Sequence, residues 1–426
     1  MFKNTKFLLI YYFALLALLL LWPNATVAPA LPLRLAYMFA VLFPAAIGNR
    51  NGLLPVIITC FWGVASNGNG YSYMPTTEYL YLIMVIAFVL LSWNVYKTRY
   101  LQLNKHTFDW PLLLYVLLVN LLTSVTVETI SVTFLVVLLF PFLLDNTDKT
   151  IVEKFSLAYL VISIAISLYT FKSISQIRMM AIMGNDSSLR TNWVDPNYMA
   201  MQIGMGAVVG VVNCIKFNRL DSLEKVMSLS AVITSVPAIL MTGSRGAFLA
   251  LAVAMIIAIF FSKVQFRYKF WACIFMAILI GFFYSGGYFD LLLNRIADDD
   301  GTGSGRTTIW ARKLECFANG NVLNYFFGLG YRKGYILGYN VQTNFHNEYL
   351  AFFVCYGLVG LVLFLRYLFT PYISAKKGSI KRREIIIFTS YILFCLLTLE
   401  PFNMGIVTFF AFIFYLSLLS KYSYEE

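Results

Sequence analysis

Apolar stretches follow one another along almost the whole chain, near 7–22, 34–47, 53–65, 79–96, 110–126, 129–144, 155–171, 197–215, 226–241, 246–262, 268–284, 348–370, 385–400 and 403–420. A helix needs about 20 apolar residues to cross ~30 Å of hydrocarbon. Several of these stretches are shorter, so some are expected to pair as half-spans or to have blurred ends. The pattern predicts an all-α, polytopic transmembrane helical bundle of about 12 to 14 spans. Two polar intervals stand out on one side of it, 172–196 and 285–347, and they divide the chain. Residues 1–171 and 172–284 hold the first transmembrane helices, 285–347 form a large extracytoplasmic loop subdomain, and 348–426 close with further transmembrane helices.

Composition narrows the class. Of 426 residues, 60% are hydrophobic and only 12% are charged, against about 25% charged in soluble domains. One buried core cannot absorb such a surplus, so it must face lipid, and a soluble enzyme is excluded. The net charge of +12 would elsewhere invite nucleic acid as a partner. In a polytopic chain Lys and Arg gather in cytoplasmic loops instead. With both termini in the cytoplasm, 20 of the 32 basic residues fall in inside segments, 11 fall outside, and Arg366 lies within a span. That orientation is therefore the expected one. Lys3 and Lys6 before an apolar run, with Ala28-Pro29-Ala30 behind it, resemble a secretion signal. With so many spans following, an uncleaved first helix is the expectation. Six cysteines show no disulfide framework, since only Cys316 lies in a long polar loop.

The candidate chemistry sits on the outer face. Thr242-Gly243-Ser244-Arg245-Gly246 forms a tight turn between two apolar helices. Ser244 is placed to cap the second helix, and a cation beside a positive helix end is favourable only with an anion between them. Arg245 can equally serve as an interfacial anchor. In Gly301-Thr302-Gly303-Ser304-Gly305-Arg306, the glycines let backbone approach a phosphate. Arg306 supplies a bidentate fork, and Trp310 follows one helical turn later on the same face. Asp298, Asp299 and Asp300 read as a solvated acidic turn rather than a metal site.

Thr343-Asn344-Phe345-His346-Asn347-Glu348 opens the long span at 348–370. A helix N-terminus should favour the neutral imidazole that a general base needs, which makes His346 the candidate base, although a capping or interfacial histidine fits the position as well. The other histidine, His106, lies in a cytoplasmic basic loop. Asp195-Pro196-Asn197 starts another helix entering from outside. Three positive helix ends at one face, with Arg245 and Arg306 beside them, form an expected anion site. Glu400 lies at an outward turn, an acid at membrane depth and so a functional candidate.

These motifs together resemble the O-antigen ligase and polymerase superfamily. The similarity covers about residues 190 to 370 and rests on Asp195-Pro196-Asn197, Thr242 to Gly246, Ser304-Gly305-Arg306, and His346-Asn347 with Gly357 and Gly360 behind it. The resemblance implies a GT-C-like membrane glycosyltransferase in the bacterial inner membrane. Such an enzyme takes a glycan from undecaprenyl diphosphate and passes it to a lipid- or glycan-linked acceptor hydroxyl, with no metal, cofactor or nucleic acid. It also implies that Arg245 and Arg306 hold the diphosphate while His346 deprotonates the acceptor. Asn347, Asp195, Asn197, Ser304, Trp310, Arg312, Arg332 and Glu400 are expected around the substrates, with Lys313 a further basic candidate. The His-Asn-(nine)-Gly-(two)-Gly spacing favours a ligase over a polymerase of repeat units. A polytopic lipid or polysaccharide transporter would place its polar residues near mid-membrane, not at one face.

Overall fold

The computed structural model describes residues 110–123, 150–172, 196–216, 220–262, 265–297, 305–339, 343–402 and 407–425, together with Val341 and scattered positions before residue 44. The stretches expected at 53–65, 79–96 and 129–144 lie outside the described residues, as do His106, Asp195, Asp298 to Asp300 and Ser304. Among the described residues every regular element is helical, as the apolar pattern predicts. Three helices among the described residues are long and apolar enough to cross a membrane: Asn197–Ile215, Ser222–Thr242 and Glu348–Ser374.

Two compact units divide the chain. The first contains α2 (Thr150–Lys172), α3 (Pro196–Ile215), α4 (Ser222–Thr242), α5 (Arg245–Phe261), α6 (Phe266–Ser285) and α7 (Asp290–Ala297). Small residues let α2, α3 and α4 approach closely. A Cβ added to Gly206 would stand 2.2 Å from the Tyr159 carbonyl, and one on Gly210 2.8 Å from that of Ser228. Buried hydroxyls stitch the same contacts. Ser163 Oγ donates to Ile203 O at 2.7 Å and also meets Ser235 Oγ, while Asn213 Nδ2 donates to Ser228 Oγ at 3.0 Å. Hydrocarbon gives no hydrophobic drive between helices, so close backbone contact and interhelical hydrogen bonds hold them.

The second unit contains α1 (Trp110–Thr123), α8 (Arg306–Ala318), α9 (Val322–Phe327), α10 (Tyr331–Ile336), α11 (Glu348–Ser374) and α13 (Val407–Lys421). The helix α12 (Ile380–Cys395) contributes its two ends here, and its residues 386–391 to the first unit. The interval expected as one long loop at 285–347 is thus largely a set of short helices. The stretch read as 385–400 forms its helix five residues earlier. It leaves the turn 396–402, with Glu400, free of the helix ladder.

The long helix α11 is broken at Gly357, whose φ of 67° and ψ of −171° fall in a region open only to glycine. The break frees two carbonyls, and the segment after α9 fills it. Leu329 N–H donates to Val354 O at 3.1 Å and Gly330 N–H to Cys355 O at 2.8 Å. Tyr115 on α1 donates its hydroxyl to Tyr356 O at 2.8 Å. Gly328 has the same unusual backbone, φ 79° and ψ −176°. A Cβ there would stand 2.2 Å from Cys355 O, and one on Gly357 2.3 Å from the Phe326 backbone.

Candidate functional site

The first unit presents Arg245. Helix α4 ends on Gly243, which turns left-handed at φ 64°, and α5 begins with Arg245 one residue after Ser244. The expected capping by Ser244 is corrected by the structure. Its side chain makes no cap hydrogen bond, and its N–H donates instead to Thr242 Oγ1 at 3.2 Å. Thr242 in turn bonds back to Ile239 O, so the tight turn is held by threonine rather than serine. Arg245 and Asn197 are both half-buried, each within the first two residues of its helix.

The second unit gathers most of the other candidates. Gly305 turns left-handed at φ 79°, and Arg306 is the first residue of α8, half-buried at that helix's positive end. One turn on, Trp310 Nε1 donates to Phe345 O at 2.6 Å. The helix that starts at Arg306 is thereby fastened to the residue before His346. Arg312 lays its guanidinium over the Tyr339 ring at 4.6 Å, exposed on the outer side of α8, and Arg332 is exposed on α10.

His346 stands at φ 52°, a left-handed backbone for a non-glycine residue. That conformation costs a side-chain-bearing residue roughly 1–2 kcal/mol and persists only where neighbours fix it. The fixing group is Glu400. Its carboxylate accepts the backbone N–H of His346, and the backbone of Asn347 also bonds it. Successive N–H groups that alternate in hand at a helix start make a natural anion cradle. Asn347 caps α11, its Oδ1 accepting from Leu350 N–H at 3.0 Å. The positive end of α11 is therefore met by a carboxylate and an amide oxygen, both belonging to the protein. Glu348 next to it is buried; its carboxylate accepts Phe402 N–H at 2.8 Å and its own N–H donates to Leu396 O at 2.9 Å. These bonds lock the turn 396–402 against the start of α11.

Glu400 has no exposed surface and also accepts the Tyr335 hydroxyl. Burial raises its carboxyl to about 7, against the lowering effect of Tyr335, the His346 N–H and nearby Lys313. Lys313, equally buried, donates from Nζ to Gly334 O at 3.0 Å and Tyr335 O at 2.8 Å, with the Phe345 ring 4.3 Å below it. Burial lowers its ammonium to about 8, while Glu400 pulls the other way. Burial and the same carboxylate push the Tyr335 phenol well above its ordinary range. The result is a closed polar core of Lys313, Tyr335 and Glu400 that ties α8, α10 and the last turn to the His346 backbone.

His346, Asn347, Trp310 and Glu400 were each candidates from the sequence; what brings them together, the Trp310 bond to Phe345 O and the Glu400 carboxylate on the His346 N–H, the sequence did not indicate. Sequence reasoning read Lys313 only as one more loop cation and gave Tyr335 no role. A lysine at the position facing inward on an amphipathic helix was the available signal: in α8 it lies three residues after Trp310. No cluster of metal-ligating side chains occurs among the described residues.

Residues 230–365, about a third of the chain, match the sequence profile of the O-antigen ligase family. The match takes in the Thr242 to Gly246 turn, Arg306, His346-Asn347, Gly357 and Gly360, and leaves Asp195-Pro196-Asn197 outside. No curated protein matches the chain. The superfamily resemblance read from the short motifs thus stands. With the apolar helices, it supports the general class of a membrane-integral glycan ligase or polymerase.

Proposed function

On that premise, we propose that the protein transfers a polysaccharide or oligosaccharide from undecaprenyl diphosphate to an acceptor hydroxyl at the outer face of a bacterial inner membrane, in the building of cell-surface polysaccharide. The observation that carries this reading is the His346 turn. A titratable side chain sits on a strained, over-determined backbone within the matched domain, fastened through Phe345 and Trp310 to the helix headed by Arg306. Sites of proton transfer are held in this way, because a base displaced by 1 Å loses most of its rate.

In the proposed reaction His346 takes the proton of the acceptor hydroxyl as the acceptor oxygen attacks the anomeric carbon. The bond from that carbon to the diphosphate oxygen breaks, and the electron pair leaves with the undecaprenyl diphosphate. Arg306 stabilises the charge arriving on the leaving group, and the resemblance carries the same role to Arg245. A diphosphate is already a good leaving group, so cationic stabilisation replaces a general acid and the chemistry needs no metal. Displacement in one step inverts the anomeric carbon. Glu400, with no surface of its own, acts in this reading by holding the His346 backbone rather than by touching substrate.

A polymerase of carrier-linked repeat units would use the same steps with a different acceptor. The ligase is favoured by the spacing from His346-Asn347 to Gly357 and Gly360. In a complementation assay, Arg306→Ala and His346→Ala are each expected to abolish glycan transfer at normal protein level. Near wild-type transfer by either variant overturns the mechanism.

A further inference from the structure

Helix α9 carries a face that the proposed reaction does not use. Val322, Leu323, Phe326 and Phe327 recur at i, i+1, i+4 and i+5, one side of the helix, and are 66, 60, 48 and 52% exposed. The opposite side is packed: Tyr325 meets buried Phe317 edge to face at 5.2 Å between ring centroids and donates its hydroxyl to Ala318 O. From Gly320 to Tyr331 the chain has no charged residue, and then Arg332 and Lys333 follow, both exposed.

The position of this face is set by backbone. The residues just after α9 hydrogen-bond the carbonyls of Val354 and Cys355 inside α11, one of the spanning helices. Cys355 lies about 10 Å below the start of that helix at 1.5 Å per residue. Gly330 abuts Thr123 at the end of α1, and Tyr331 N–H donates to Asn120 Oδ1 at 3.1 Å. Thus α9 sits beside the outer ends of apolar helices, not above them. An exposed apolar stripe at that level, bordered by cations, matches a segment dipping into a leaflet with its charges among headgroups.

We propose that Val322–Phe327 is a membrane-dipping anchor of the large loop: its apolar stripe lies in the acyl region of the outer leaflet, and Arg332 and Lys333 meet anionic phospholipid headgroups. The bilayer itself is the partner. The anchor holds whatever acceptor the enzyme uses, because it depends on the fold alone.

The test uses the full chain in phospholipid nanodiscs that contain no polyprenyl lipid, probed with a membrane-impermeant maleimide. Native Cys316, exposed on α8, is the internal control and is expected to label readily. In a Cys316→Ser background, Leu323→Cys and Val322→Cys are expected to label at least tenfold more slowly, and to reach the control rate once detergent replaces lipid. Both replaced side chains are mostly exposed, so neither substitution disturbs packing. Labelling in nanodiscs at the Cys316 rate overturns the proposal. Protection that appears only after undecaprenyl diphosphate is added also overturns it, and assigns the face to the donor's tail. His346→Ala leaves the expected pattern unchanged, so failure of the transfer mechanism and failure of the anchor read out separately.

Discussion

The Glu400 carboxylate accepts the backbone N–H of His346 across 54 residues of sequence and thereby holds a left-handed histidine at the head of a spanning helix. The groups that bond Glu400 there include two backbone N–H donors and the Tyr335 hydroxyl. Glutamine presents one acceptor and one NH₂, so Glu400→Gln leaves one accepting oxygen where the carboxylate offers two, and the Tyr335 hydroxyl must turn from donor to acceptor. Its kcat is expected to fall at least about tenfold, near the ~1–3 kcal/mol of an unsatisfied buried group, with the KM for the donor nearly unchanged. Tyr335→Phe removes the same bond from its other side, so the double variant should lose less than the two single variants together. Strict additivity in that double-variant cycle would show that the two side chains do not act through one carboxylate.

Stability and activity should respond to pH with opposite signs. Glu400 titrates near 7 in the folded chain, against about 4.3 when unfolded. Between those values the folded state binds a proton that the unfolded state does not, so stability falls as pH rises through the window. Lys313, lowered to about 8, contributes the reverse trend only above that pH. Cys355, Tyr331 and Glu348 are the other ionisable groups acting on the Tyr335 hydroxyl. Thermal unfolding in detergent is expected at higher temperature near pH 5.5 than near pH 8, with the difference flattened in Glu400→Gln. Transfer should decline on acidification over the same range, because protonation leaves Glu400 one accepting oxygen and turns the other into a donor, which weakens its hold on the His346 backbone and Tyr335. Parallel rather than opposed profiles would assign the shift to another group.

Arg245→Lys is expected to lose most transfer activity, since a point charge does not reproduce a planar two-pronged donor on diphosphate. Activity close to wild type would leave Arg245 as an interfacial anchor.

Gly357→Ala and Gly328→Ala should each prevent accumulation of folded protein. Both need a backbone that only glycine adopts, and each added Cβ would lie within 2.4 Å of backbone atoms that cannot yield. Gly378→Ala is the matched control: its φ is +81° but nothing stands within 4 Å of the new carbon. It is expected to cost only about 1–2 kcal/mol. Equal expression of all three variants would contradict the interlocked break in α11.

The helical class, the limits of most described helices to within a few residues, and the spacing of Arg306 and Trp310 one turn apart on one helix were legible in the sequence, because apolar periodicity and helical spacing are local. What joined them was not. Glu400 is 54 residues from His346, and no local rule says that an acid at a turn will meet a particular backbone N–H. Gly357 was visible only as part of a spacing. That it breaks the helix depends on Gly328 arriving from another segment, a fact of tertiary contact. Ser244 sits at the N-cap but its side chain accepts no helix N–H, while its own N–H is taken by Thr242 Oγ1 two residues earlier.

The break in α11 also bears on how the enzyme could open. A loop rich in glycine between two catalytic candidates invites the picture of a flap on hinges. Here the flap's middle supplies two rungs of the ladder of a membrane helix, and lifting it would strand those carbonyls at a depth where water cannot replace the bonds. Arg306 and His346 are therefore carried by scaffolding rather than by a gate. In the proposed function, a long lipid-linked chain then comes and goes sideways, past a doorway whose frame stays put.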